Sequence, residues 1–298
     1  MGVFGALWCV AVLLMPAFAG SASAQTRSLF GVNPSGNDSS SPPGSYGLFY
    51  VNPNTGAIFD GRVITVRGRT IVNALGLARD PTTSQTYAIV QASGVSGRLL
   101  IAIDLSTGAG IEIGNLGDRF SSIAFRGDGQ LFAVTGDGAT VPETLYLINK
   151  ANASKVVARA LGNGADGEVI AYHPPSDSFF HWSGNGFIVF ERIQATPPFT
   201  VTNVPIAGPT SPEVFGAVWD PLRNQFLVHD ISNRMDFWTP TGLRSNPQPP
   251  TITEVRGMVL LIESGATAVP TLGAWGMTLL ALLLGTIGWL AMRRRPAP

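Results

Sequence analysis

Leu77-Ala78-Arg79-Asp80-Pro81-Thr82-Thr83-Ser84-Gln85-Thr86-Tyr87-Ala88-Ile89-Val90 decides the fold. An apolar run ends at Asp-Pro, a polar turn follows, and a second apolar run begins. Proline presets φ for a turn, and an Asp side chain bonds the backbone two residues on. The stretch therefore predicts a β-hairpin. The first run has four counterparts: Ile123-Ala124-Phe125-Arg126-Gly127, Ile170-Ala171-Tyr172-His173-Pro174, Ala217-Val218-Trp219-Asp220-Pro221 and Met258-Val259-Leu260-Leu261. Successive starts lie 46, 47, 47 and 41 residues apart. The second run returns as Leu131-Phe132-Ala133-Val134, Phe179-Phe180-His181-Trp182 and Phe226-Leu227-Val228-His229.

A third apolar run precedes each pair. It reads Leu48-Phe49-Tyr50-Val51, Leu99-Leu100-Ile101-Ala102-Ile103, Leu145-Tyr146-Leu147-Ile148, Phe187-Ile188-Val189-Phe190 and Met235-Asp236-Phe237-Trp238. A fourth follows, for example Gly110-Ile111-Glu112-Ile113. Four short strands per unit of about 41 to 51 residues are the signature of propeller blades. The fold class is thus all-β, a β-propeller of about five four-stranded blades over residues 25–265, with six or seven left open by any irregular blade. The fifth unit lacks its last strand. Ser28-Leu29-Phe30-Gly31-Val32 resembles Gln130-Leu131-Phe132-Ala133-Val134. A strand from the N-terminal side would therefore complete the last blade and close the ring, removing exposed sheet edges. Residues 33–46, rich in Ser, Gly, Pro and Asn, are expected to form a surface loop.

Composition agrees with this reading. The chain has 35 Gly, 22 Pro and only 13% charged residues, which suits short strands and many turns. Three of its 19 basic residues are Arg293, Arg294 and Arg295, so residues 25–265 hold 16 basic against 19 acidic groups. That mildly acidic body has no basic stripe for nucleic acid.

Both ends read as export and anchoring segments. Residues 3–19 are apolar and uncharged, and Ala22-Ser23-Ala24 precedes Gln25. This predicts a signal peptide over 1–24, cut between Ala24 and Gln25, although no Lys or Arg precedes the apolar run. A cut after Ala19 and a retained anchor are the alternatives. The single cysteine, Cys9, lies inside that run, and Ala6-Leu7-Trp8 before it make a poor lipoprotein box.

After Glu263 no charge appears until Arg293. The 21 residues of 272–292 would extend about 31 Å as a helix, the thickness of a bilayer core. Trp275 and Trp289 suit the two interfaces. The three arginines would stop transfer and leave the body on the outer side.

Val269-Pro270-Thr271-Leu272-Gly273-Ala274-Trp275-Gly276, then the apolar segment and Arg293-Arg294-Arg295, resembles the IPTL-CTERM sorting domain. Val269 stands for the usual isoleucine, and Ala274 where an acidic residue is common. The resemblance implies a sorting tail over 266–298, with the helix at 272–292. It implies recognition by an exosortase-type transpeptidase in a Gram-negative envelope and cleavage near Pro270-Thr271.

The body's candidate chemistry is sparse. Gly162-Asn163-Gly164-Ala165-Asp166-Gly167 matches GxGxxG, but no helix follows it, so an inter-strand loop is expected. Arg126-Gly127-Asp128 occupies a hairpin turn. His173 takes the turn position of Asp80 and Asp220. His181 aligns with Val228, and His229 with Trp182, so the two are expected to face opposite ways. Asp80, Asp104 and Asp220 recur with the repeat as turn residues, and a calcium site built from such turns is the competing reading. No catalytic residue, metal ligand or cofactor is predicted. The leading reading is a non-enzymatic exported envelope or extracellular protein whose propeller binds an unknown extracellular ligand or serves for display. The partners are a membrane and the processing enzyme. The alternative is a secreted, metal-dependent, lactonase-like propeller hydrolase. Polar side chains converging at the channel mouth would favour the second, and an apolar channel the first.

Overall fold

The computed structural model describes residues 26–34, 36–37, 47–136, 138–161, 169–183, 189–207, 213–245, 254–263 and 274–293. In chain order these form β1 (Thr26–Val32), β2 (Leu48–Val51), β3 (Ile58–Arg62) and β4 (Thr65–Val66). Next come β5 (Ile71–Arg79), β6 (Thr86–Ala92), β7 (Leu99–Ile103) and β8 (Ala109–Asn115). β9 (Phe120–Phe125), β10 (Leu131–Thr135), β11 (Thr144–Ile148) and β12 (Lys155–Ala160) follow. Then come β13 (Val169–His173), β14 (Ser178–Ser183), β15 (Val189–Gln194) and β16 (Val201–Asn203). β17 (Val214–Asp220), β18 (Gln225–Asp230), β19 (Met235–Trp238), β20 (Arg244–Ser245) and β21 (Arg256–Glu263) complete the body. A single described helix, α1 (Ala274–Arg293), follows.

The strands make five sheets, the five blades of a propeller. Four consist of consecutive antiparallel strands: β5-β6-β7-β8, β9-β10-β11-β12, β13-β14-β15-β16 and β17-β18-β19-β20. The two-residue β4 adds a parallel fifth strand to the first of these, beyond the four expected. The closing blade is β21-β1-β2-β3, so one C-terminal strand and three N-terminal strands share a sheet. The strand expected at 28–32 is β1, and it does complete that blade.

Each blade lies between two others, and this explains the sequence. Successive residues of a strand point to opposite faces. In β6, Ala88 and Val90 join one apolar layer while Ile89 joins the next. In β14, Phe179 and Phe180 divide the same way, as do Phe226 and Leu227 in β18. With both faces buried, these strands need near-continuous apolar runs instead of alternation. The layer between the blades of β13 and β17 is aromatic. Trp182 packs on Phe190 at 4.9 Å, and Phe190 on Trp238 at 5.4 Å between ring centroids. Each such burial contributes about 1.5–3 kcal/mol.

Two expectations require correction. The third strand of the fourth unit is expected to end at Phe190, whereas β15 runs Val189–Gln194. Glu191 and Arg192 look like a strand end, but they find partners. Glu191 meets His181, and Arg192 Nε donates to Ser178 Oγ at 3.0 Å. The segment 33–46 is also not wholly a surface loop. Asn33 is buried, and the Asn37 amide donates to Ile64 O and accepts from Ile64 N, both at 2.7 Å. The rest of that segment, residues 35 and 38–46, lies outside the described residues, apart from residues 34 and 36.

The chain divides into two units. The body is Arg27–Ile262, and α1 is the described part of the other beyond the ends of β1 and β21. The helix occupies 274–293, where 272–292 was expected. Its side chains are described only at 278–279, 281–287 and 289. Among the described residues, no helix is long and apolar enough to cross a membrane.

Candidate functional site

The repeat alignment orders the centre of the ring into layers. The residues just before the five aligned runs are Gly76, Ser122, Val169, Gly216 and Gly257. Here the innermost strands almost touch. A Cβ on Gly257, whose φ is +55°, would lie 2.4 Å from Leu77 N and 2.6 Å from the Gly76 carbonyl carbon. A Cβ on Gly216 would lie 2.8 Å from Val255 O. Ser122 Oγ bridges to the next blade, accepting from Ile170 N at 3.3 Å and donating to Ile170 O at 3.4 Å. The five positions form a collar of close backbone approach.

Beyond the collar the channel opens into a cavity of about 320 Å³. Three successive residues of each innermost strand line it: 77–79, 123–125, 170–172, 217–219 and 258–260, with Arg79 the one charged side chain among them. No carboxylate, Asn or His lines the cavity among the described residues.

The face before the collar carries charged groups of both signs. Arg256 stacks over Phe215, 4.0 Å from the ring centroid, and pairs with Glu254. Arg98 donates to Phe120 O. Burial, then the neighbouring Arg256 and Arg119, push its guanidinium down to about 10. Asp118 accepts from Thr140 N and Arg119 N, each at 2.8 Å. Burial pushes its carboxyl up, but these bonds outweigh that and hold it below the usual range.

The candidate residues of the body are dispersed. Asp80 Oδ1 accepts from Thr82 N at 2.8 Å, and its other oxygen pairs with Lys150 of the next blade. Asp104 caps Ser106 N at 2.7 Å. Asp220 caps Leu222 N and pairs with Arg27 and Arg223. Each serves its own turn. Arg126-Gly127-Asp128 is a hairpin turn in which Arg126 holds Asp128 and donates to Ala195 O. His173 Nδ1 meets Ser176 Oγ at 2.7 Å. His181 Nδ1 lies 3.1 Å from Glu191, within its own blade. His229 Nδ1 accepts from Val255 N at 3.3 Å. No cluster able to hold a metal occurs among the described residues. The GxGxxG stretch at 162–167 lies outside them.

Of the sorting residues, Trp275, Gly276 and Arg293 fall on the α1 backbone. Val269, Pro270, Thr271, Leu272, Arg294 and Arg295 lie outside the described residues, as do Ala24 and Gln25. What the tail is follows from its sequence. Residues 267–294 match the IPTL-CTERM motif. An IPTL-CTERM tail implies an exported chain, held at a membrane or displayed at a surface, and processing by an exosortase-type enzyme.

No curated protein matches the chain. Solved structures similar to it include a chain of a nidogen/laminin complex, 11% identical, covering 79% of this chain and 98% of its own, with a TM-score of 0.45. A structural genomics protein of unknown function from Bacteroides thetaiotaomicron VPI-5482 is 14% identical, covering 74% of this chain and 50% of its own, with a TM-score of 0.42.

The collar was not read from the sequence. Its signal was available in the column of Gly76, Ser122, Val169, Gly216 and Gly257.

Proposed function

We propose that this protein is an exported envelope or extracellular binding protein, delivered by its IPTL-CTERM tail. The observation that carries the reading is the motif at 267–294 following a propeller body. Residues 1–24 are removed as a signal peptide between Ala24 and Gln25. Residues 272–292 are then the single membrane span, with Arg293, Arg294 and Arg295 on the cytoplasmic side and the body outside. Support for the span comes from the full sequence, which is uncharged from Ser264 to Met292 and whose 21 residues at 272–292 would rise about 31 Å as a helix. The transpeptidase recognises Val269, Pro270, Thr271, Leu272, Trp275 and Gly276 and cuts near Pro270-Thr271, freeing the body, residues 25–265, from residues 266–298.

The body binds rather than catalyses. The cavity beyond the collar supports this: its described lining holds no carboxylate, Asn or His, groups a metal-dependent hydrolase would bring together at the mouth. Intact mass of the exported protein tests the delivery. A chain starting at Gln25 and ending between Ile262 and Leu272 is expected. A product retaining residues through Pro298 would refute processing.

A further inference from the structure

Three arginines meet on the face before the collar, each tied to an innermost strand. Arg98 reaches in from the β6–β7 connection, and its Nη1 donates to Phe120 O, two residues before Ser122. Arg119 immediately precedes Phe120, and its Nη1 lies over Gly138. Arg256 immediately precedes Gly257 and stacks on Phe215, which immediately precedes Gly216. The three are near enough that, after burial, the charges of Arg256 and then Arg119 lower the Arg98 guanidinium.

Like charges held together are unfavourable unless something neutralises them. The neighbouring acids do so only in part. Arg98 is opposed by one carboxylate, Asp118, whose oxygens are taken by the amides of Arg119, Thr140 and Val141. Glu254 engages Arg256 through Nε alone. Among the described residues the Arg119 guanidinium has no hydrogen-bond or ion-pair partner. Arg98 Nε is buried and has none either, which is costly for a charged donor. Arg119 is exposed, and Arg98 and Arg256 are half-buried, so solvent reaches the cluster.

Guanidinium forks hold oxyanions by paired, charge-assisted hydrogen bonds. A carboxylate presents two oxygens, whereas a phosphate or sulfate group presents at least three, one for each fork. We propose that this face binds a phosphate or sulfate group between Arg98, Arg119 and Arg256. This rests on the reading of the body as a binding module.

The test uses the full chain in a neutral maltoside detergent, in buffer free of phosphate and sulfate. Equilibrium dialysis measures labelled inorganic phosphate, inorganic sulfate, glycerol 3-phosphate and acetate. Saturable binding of one phosphate or sulfate per chain is expected, tighter than acetate and weakened by added salt. Arg119→Gln, at an exposed position, should weaken it by about tenfold or more. Arg98→Gln should do the same while circular dichroism stays that of the wild type. Arg126→Gln, at the far end of β9, should leave binding within about twofold. Glycerol 3-phosphate binding as tightly as phosphate would place the group on a larger molecule, and exclusion of the ester would make the ligand the free ion. Absence of saturable phosphate and sulfate binding, acetate binding as tightly, or equal effects of Arg119→Gln and Arg126→Gln would overturn the proposal. No anion bound and the ester left intact would remove this site alone. Conversion of glycerol 3-phosphate to free phosphate would instead overturn the binding-module reading.

Discussion

Arg27 Nη1 lies 2.6 Å from Asp220 Oδ2, joining the N-terminal strand of the closing blade to the β17–β18 turn of its neighbour. The two residues are 193 positions apart in sequence. Asp220 is fully buried and also receives Arg223 Nη1 at 2.9 Å. The pair is therefore a latch on the ring closure, and a second cation remains if the first is removed.

Arg27→Ala should cost about 1–2 kcal/mol, the range of one charge-assisted hydrogen bond. That corresponds to a fall of about 2–8 °C in melting temperature for a body of this size. Asp220→Ala should cost more, because it takes the carboxylate from both Arg27 and Arg223 and uncaps the Leu222 and Arg223 amides. Thermal melts of both variants and the double mutant check this. An unchanged melting temperature in Arg27→Ala would show that closure does not depend on this latch.

The collar predicts a contrast between glycines. Gly257→Ala places a Cβ against Leu77 N and the Gly76 backbone at a positive φ. It should cost at least about 3 kcal/mol or prevent folding, since backbone cannot move aside within a packed ring. Gly68→Ala, at φ +73° with open space around it, should cost only about 1 kcal/mol. Yield and melting temperature separate the two. Similar losses at both sites would mean that conformational strain, not the collar, governs Gly257.

His229 makes acid sensitivity legible. Burial holds its imidazole down to about 3, while in the unfolded chain it titrates near 6.5. The unfolded state therefore binds the proton first. Stability is fully present above about pH 6.5 and declines as pH falls towards 3, by up to about 1.4 kcal/mol per unit. Urea titrations from pH 7.5 to 4.5 should give a steeper loss for the wild type than for His229→Asn. Parallel curves would contradict the assignment.

Asp80 acts lower on the scale. Burial pushes its carboxyl up, but hydrogen bonds from Lys150 and Thr82 outweigh this and hold it well below the usual carboxylate range. The unfolded group titrates near 3.9. Its contribution is complete above that value and fades only as pH falls from about 4 towards the much lower folded value, so the gap between Asp80→Asn and wild type should be constant above about pH 5 and begin to narrow below about pH 4. Lys150→Met should reduce the same difference, because it removes the main partner. A gap that stays constant from pH 5 down to about pH 2 would place the effect in packing rather than charge.

Much of the body was legible because a propeller repeats its own solution. Asp80-Pro81 and Asp220-Pro221 mark the same turn in two blades, and the spacing of the runs gives the blade count. Ser28–Val32 could be assigned to the last blade because it repeats the pattern of Gln130–Val134. The end of β15 was not legible, since Glu191 and Arg192 read as polar until His181 and Ser178 supply their partners from the neighbouring strand. Nor was Asn37, whose amide closes on Ile64 from 27 residues away.

The sequence by itself determined the tail, the strand runs and the closing of the ring. These rest on periodicity, charge and turn chemistry, all local in the chain. Only the tertiary structure decided what stands at the centre. Whether Arg79 caps a turn, pairs across a blade or stands at the edge of an apolar cavity depends on five strands meeting at one axis. Their separation is set by Gly76, Gly216 and Gly257, residues whose role is to let backbones approach, and that distance is a property of the assembled ring.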